Sequence, residues 1–450
     1  MRNKIYKLVL LLSIFGFSGC ISSSEKLESD IAATSPNAWV DIFWIPSLPR
    51  VTKSSSHVAQ AIFEMPTVAR SMVAAQAAQS RVSIAKSAKK LTVNASSSTG
   101  LNSETNDGSH GAFLLTVSAQ KLLEDNGQAD RSILLSELVA EAAILEAQID
   151  IDRTLQKILD AYTSQNTASK VDGIIDKYIG MFNERENLVK TAVKVGVLSN
   201  SDYLELQSLK NETLSEQAQA LLRFKSAQSF LKTSLKTYLD AASGELAATY
   251  SFLELPPLLF EKAYTKDILD LKYAQIKTEI EIEEILKKYV VNWQTSVSSP
   301  RSRGAGSTLF AGVTIGMPLN DGGKAASKTT ALLKELDVIV LEIDALKQKT
   351  ILANERLSNF LDYYQKQNFL LLERKKISEE RIVELELKIK AGRSDISVLA
   401  KQFLTSARTE IALEQLNYER SSEALAAVAV TGQTCELLDI CDAIIAGVAK

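Results

Sequence analysis

The sequence predicts a mainly α-helical protein with a small transmembrane β part, built from one unit written twice. Three observations predict it. Landmark residues recur at a fixed offset of 196, two helical stretches are too long for a globular domain, and two pairs of short segments alternate apolar and polar side chains.

The repeat organises the rest. Leu123, Asp125 and Gly127 recur as Leu319, Asp321 and Gly323, and Val193-Lys194-Val195-Gly196 is answered by Ile389-Lys390-Ala391-Gly392. Both landmarks keep the same offset, so no net insertion or deletion separates the copies between them. Each copy has the same order of parts. A helical stretch comes first, roughly 58–88 and 262–288, then two alternating segments around a polar loop. A very long helix follows, about 124–194 and 320–390, then a break at glycine and a second long helix, about 200–240 and 395–430.

The alternating segments are expected as strands at about 90–100, 111–121, 290–299 and 308–318. From Phe113 to Ala119 the odd positions are apolar and the even ones mostly polar; Leu309, Ala311, Val313, Ile315 and Met317 form the matching face in the second copy. Leu91, Val93 and Ala95 stand against Thr92, Asn94 and Ser96, and Val291, Trp293 and Val297 against Asn292, Gln294 and Ser296. Period two with one apolar face is a strand, and segments of about ten such residues fit membrane strands with lipid on one side and a polar lumen on the other. Two soluble hairpins packed on a core are the alternative. The joining loops, 100–109 and 298–307, are rich in Gly, Ser, Asn and Pro and read as exposed.

Four strands cannot close a membrane barrel, which needs at least about eight, and an open edge in lipid would leave backbone groups unpaired. Membrane strands therefore require oligomerisation. Three copies supply twelve strands; a dimer with eight would have its interior filled by side chains. A helix of about seventy residues runs on the order of 105 Å, a rod that does not fold back into a globule. Apolar residues recur along it at helical spacing, as at Ile382, Leu385 and Ile389, with charges on the other faces. This is the pattern of long helices packed side by side, and alone it fits a coiled coil equally well.

The ends carry addresses. Arg2, Lys4 and Lys7 precede an apolar run from Leu8 to Phe17 that is too short to span a bilayer, so residues 1–19 read as a secretory signal. The run ends in Phe17-Ser18-Gly19-Cys20, which resembles the lipobox of bacterial lipoproteins, although Phe17 stands where Leu is usual. That resemblance implies an acylated Cys20, and Ile21 after it points to the outer membrane; an ordinary signal peptide is the alternative. Removing 19 residues leaves 431 of 450. Of the three cysteines, Cys435 and Cys441 then remain as an even pair, expected as a disulfide in an oxidising compartment. The expected organisation is a signal at 1–19, a lipidated segment at 20–56, a first repeat at 57–244, a connection at 245–261, a second repeat at 262–432 and a tail at 433–450.

A net charge of −3 gives no reason to expect nucleic acid, and two histidines, His57 and His110, make histidine catalysis or a multi-histidine metal site a poor expectation. No nucleophile, metal cluster or cofactor motif emerges, so no enzyme is expected. Gly304-Ala305-Gly306 is a lone glycine pair, weak as a phosphate loop. Lys86, Lys89 and Lys90 read as a membrane edge or a solvated face.

Hairpin, long helix, glycine turn and long helix, all duplicated, resemble the TolC-type outer-membrane factor family over nearly the whole mature chain. The most specific match is Pro318-Leu319-Asn320-Asp321-Gly322-Gly323-Lys324, similar to the family's P-L-F-D-G-G-R between the fourth strand and the long helix. The resemblance implies a homotrimer, with a 12-stranded β-barrel in outer-membrane lipid continued by an α-helical barrel through the periplasm. It also implies docking of the helix tips onto a periplasmic adaptor protein and an inner-membrane transporter. The family's tip turns are matched at Gly196 and Gly392. Its D-V-L-D is matched by Asp202-Tyr203-Leu204-Glu205, whereas the second copy reads Ser397-Val398-Leu399-Ala400 and looks one residue shorter. The acidic ring of the second tip is thus absent. Asp202, Glu205 and Asp395 are the carboxylates at hand, and Arg393 is expected to pair with Asp202 as a gate; solvated charges at helix ends are the alternative. Two functional readings follow. One is a passive conduit for efflux or type I secretion, the other a structural periplasmic coiled-coil lipoprotein without a pore.

Overall fold

A computed structural model describes residues 56–104, 108–250, 260–300, 307–319, 321–391 and 395–435, all within one compact unit, Val51–Lys450. In chain order the elements are α1 (His57–Phe63), α2 (Pro66–Ser87), β1 (Thr92–Glu104), β2 (Gly108–Glu124), α3 (Gln128–Lys194), α4 (Asn200–Leu235), α5 (Leu239–Tyr250), α6 (Tyr264–Ile285), β3 (Val290–Pro300), β4 (Thr308–Gly316), α7 (Lys324–Lys390) and α8 (Ile396–Thr431).

The first helical stretch is two helices rather than one. Pro66 disfavours a helical residue before it, so Met65 is extended (φ −72°, ψ 134°) and Pro66 opens α2 at its first turn. Glu245 of α5 holds the start of α1, accepting from Ser56 Oγ (2.8 Å) and from the backbone N–H groups of His57 (2.8 Å) and Val58 (3.2 Å). A carboxylate placed there meets the positive end of the helix dipole.

The four strands form one antiparallel sheet in the order β1-β2-β3-β4. The first hairpin is longer than its alternation alone suggested, with Glu104 opposite Gly108, while β4 stops at Gly316, so Met317 lies just beyond it. The register puts like residues in rows. Ala95, Val117, Val297 and Leu309 align across the sheet, and so do Ser96, Thr116, Ser298 and Thr308. Odd-numbered residues therefore build a mainly apolar face, interrupted for example by Ser97, Lys121 and Thr295, and even-numbered ones a mainly polar face, interrupted for example by Leu114, Leu122 and Phe310. Near the end of β2, Leu122 and Glu124 face the adjacent Asn292 and Val291, so the ladder bulges at Leu123. β1 and β4 each have one edge unpaired within the chain.

The duplication holds to the residue. α3 and α7 each have 67 residues and start 196 apart; α4 and α8 each have 36 and also start 196 apart. The second tip is therefore not one residue shorter: its N-cap, Asp395, stands 196 after Ser199, the N-cap of α4. α3 packs against α2, α4, α6 and α8, and α7 against α6 and α8. Near the glycine turns the four long helices share a core that includes Tyr178, Phe182, Leu206, Leu385, Leu399 and Phe403, with Phe182 and Phe403 edge to face at 5.6 Å. No helix among the described residues is long and apolar enough to cross a membrane.

Candidate functional site

Two places in each copy carry the features that the sequence singled out: the strand-to-helix junction and the helix tip.

At the junctions the chain must turn from a strand into a 67-residue helix, and both copies do so in the same way. In the first, Asn126 (φ 58°) and Gly127 (φ 87°) are both left-handed; in the second, Gly322 (φ 64°) and Gly323 (φ 83°) take those places. L-residues other than Gly, and to a lesser extent Asn, resist this conformation. The preceding aspartate then caps the helix. Asp125 Oδ1 accepts from the N–H of Gly127 (3.0 Å) and Oδ2 from that of Ala129 (2.6 Å). Asp321 repeats both bonds with Gly323 and Ala325, each at 2.9 Å. These two backbone donors hold the Asp321 carboxyl below the ordinary aspartate range. The Asp-x-Gly pattern is thus a helix start, with satisfied donors and two left-handed residues. Leu319 is 92% exposed and Pro318 is exposed beside it, so this turn offers an apolar knob on the surface. Asn126 Nδ2 also donates to Tyr289 O (2.7 Å), which ties the first junction to the start of the second hairpin.

At the first tip, Gly196 (φ 75°) ends α3. Its N–H reaches Val193 O (3.1 Å) and the Val197 N–H reaches Ala192 O (2.8 Å), the paired bonds of a left-handed glycine cap. Ser199 and Asp202 then start α4 reciprocally. Ser199 Oγ accepts from the Asp202 N–H (3.2 Å), and Asp202 Oδ2 accepts from the Ser199 N–H (3.0 Å) and hydroxyl (2.8 Å). In the second copy Asp395 accepts from the Ser397 N–H at 3.1 Å. Asp202 and Asp395 are accordingly helix caps, and Asp202 spends its carboxylate on Ser199. Gly392 and Arg393 lie outside the described residues, as do Cys20 and Cys441.

Arg393, the expected partner of Asp202, lies outside the described residues, and among the described residues two cross-copy ion-pair clusters join α4 to α8. Lys401 of α8 pairs with Glu205 of α4 at 2.7 Å, and Glu205 pushes the Lys401 ammonium above its ordinary value. Seven residues on, Arg408 pairs with Glu212 and, at 2.9 Å, with Glu216. Positions 205 and 401, like 212 and 408, are 196 apart, so equivalent positions of the two copies face each other with opposite charge.

Deeper in the bundle, Glu410 is 8% exposed and joins three helices. It accepts from Lys177 (2.8 Å) and the Tyr178 hydroxyl (2.7 Å) of α3, and lies 3.4 Å from Lys375 of α7. Burial alone pushes its carboxyl up, but the hydrogen bonds from Lys177 and Tyr178 and the two ammonium charges outweigh it and leave the value lowered. The Tyr178 hydroxyl is raised, by burial first and by Glu410 second. The sequence pattern did not single out these residues. The sign opposition at equivalent positions was readable, whereas Glu410 looked like any charge on a helix face.

Past the end of α8, Gly432 (φ 73°) turns the chain inward. Cys435 is fully buried, its N–H donates to Asp152 Oδ1 (2.7 Å), and its sulfur is disulfide-bonded.

No protein-family model matches the chain, and no curated protein matches it in sequence. Solved structures do match it in three dimensions. A membrane protein from Pseudomonas aeruginosa superposes with a TM-score of 0.71 at 13% identity, over 83% of this chain and 89% of that one. The outer membrane protein VceC from Vibrio cholerae gives 0.69 at 13%, over 84% and 95%. The MtrE outer membrane channel of Neisseria gonorrhoeae, in its open state, gives 0.66 at 13%, over 85% and 89%. The fold is that of TolC-type outer-membrane channels.

Proposed function

We propose that this chain is the outer-membrane subunit of a tripartite efflux or type I secretion system, a passive homotrimeric conduit that meets a periplasmic adaptor protein and an inner-membrane transporter at its helix tips. The observation that carries the reading is the sheet. It has four strands, one mainly apolar and one mainly polar face, and an unpaired edge at each side. In a bilayer such edges need partners, and three copies laid edge to edge supply twelve strands around a polar lumen. The similarity to the VceC and MtrE folds supports this use of the sheet. The long helices continue below it as the periplasmic wall. Cys20 is the proposed lipid anchor in the outer membrane, and Cys441 the proposed partner of Cys435. The test is detergent extraction followed by mass measurement and planar-bilayer recording. A trimer that conducts supports the conduit, while a monomer or an assembly without conductance returns the chain to a structural periplasmic lipoprotein.

A further inference from the structure

We infer that the middle of the β-barrel of this channel is an electrically neutral duct, which passes hydrogen-bonding solutes of either charge sign and sorts them by girth. The inference rests on the trimeric reading and deepens it by naming the class of solute. Its basis is the polar face of the sheet. Even positions 92–98, 114–122, 290–300 and 308–316, the middle of the sheet, hold no Asp, Glu, Lys or Arg; the even-numbered acids Glu104 and Glu124 stand at strand ends, Glu104 at the hairpin and Glu124 past the bulge. The cross-strand rows there are hydroxyls and amides instead: Asn94 beside Ser118 and Ser296, and Ser96 beside Thr116 and Ser298. Threefold repetition would stack these rows as neutral rings.

Two details fit a smooth wall rather than a binding site. The Thr116 and Ser298 hydroxyls satisfy each other at 3.2 Å, and Thr92 and Thr314 hydroxyls bond back to strand carbonyls. Phe310, the aromatic residue on this face, brings the tip of its ring to Gly312. A Cβ at Gly312 would meet Phe310 Cζ at 3.0 Å, so the glycine leaves room for the ring beside the strand. A solute therefore meets donors and acceptors that exchange freely with water, and no fixed charge that would concentrate one ion sign. Any charge filter must sit outside this segment.

The test uses the full-length trimer in membrane vesicles, with single cysteines at Ser118, Ser296 and, as a lipid-face control, Val117. Each is treated with a cationic or an anionic methanethiosulfonate, and rates are divided by those for a free thiol. Ser118→Cys and Ser296→Cys should react with the two reagents at rates within about threefold, whereas a charged lumen, with a potential of several kT, would separate them beyond about tenfold. A separation of that size in the otherwise native lumen overturns the neutral duct. Adding Ser296→Lys beside Ser118→Cys should tilt the ratio toward the anion; no tilt would also overturn it, because the reagents would then not sense lumen charge. If Val117→Cys reacts as fast as Ser118→Cys, the barrel itself is wrong, which is a separate failure from a charged lumen.

Discussion

Gly127 and Gly323 do the same work 196 residues apart, and nothing lies within 4 Å of a Cβ built on either. Substitution by alanine therefore carries a backbone penalty and no clash, about 1 kcal/mol for a left-handed L-residue. Thermal unfolding of Gly127→Ala and Gly323→Ala should show similar losses that add in the double mutant. A loss in one copy alone would mean that the junctions are not equivalent. Glu410 is the opposite kind of residue, held by partners and not by backbone. Glu410→Gln removes charge-assisted hydrogen bonds from Lys177 and Tyr178, at a cost of about 2 kcal/mol. The sign with pH follows from its lowered value and from Glu186, which hydrogen bonds from Lys190 and Lys210 lower from 4.5 to about 2. A carboxyl depressed in the folded state stabilises it above its unfolded value and loses that contribution as pH falls through the folded one. The thermal midpoint should thus fall as pH drops from about 4.5 toward 2, and Glu410→Gln should flatten part of that fall. A midpoint with the same pH slope in the mutant and the wild type would remove Glu410 from this account.

At the scale of elements, the pairing of α4 with α8 decides how the two copies meet at the tip. Lys401→Glu places two carboxylates against each other and should lower the thermal midpoint, while Glu205→Lys combined with Lys401→Glu should restore most of it. Because both groups are exposed and screened, the gap should narrow at high salt. A double mutant no better than the single would show that the two side chains do not couple. Here the sequence was legible in part. The offset of 196, the strand faces and the glycines at 127, 196 and 323 were readable, because each is a local demand: period two, a left-handed residue, a cap. The break at Pro66 was missed although proline announces it, because the apolar pattern runs through 58–88 without interruption. The apparent one-residue deletion at the second tip came from matching letters across a turn, where Asp202 and Val398 are the true equivalents. Lys401 against Glu205 required knowing that α4 and α8 are neighbours, and sequence spacing alone does not carry that.

The whole molecule has more apolar surface than one chain can cover. Leu341, Leu352, Tyr363, Leu370 and Ile377 of α7 are 48–66% exposed. Their spacings of 11, 11, 7 and 7 keep them within about 40° of one another on the helix, so they form one continuous stripe. Large exposed stripes of this kind mark interfaces. In the proposed trimer, the stripe and the open edges of β1 and β4 would give each subunit a helical and a strand surface to offer the next. The two surfaces should fail differently. Leu352→Glu with Leu370→Glu should abolish the trimer, read as mass in detergent, while the helix content seen by circular dichroism stays. Val313→Arg, on the apolar face of β4, should cost roughly 2–4 kcal/mol near the bilayer centre, and Thr314→Arg on the polar face much less. The readout is the stability of the inserted trimer. Equal damage at 313 and 314 would mean that lipid and water do not lie on opposite faces of the sheet. A trimer that survives the α7 double mutant would mean that the strand edges alone hold the ring.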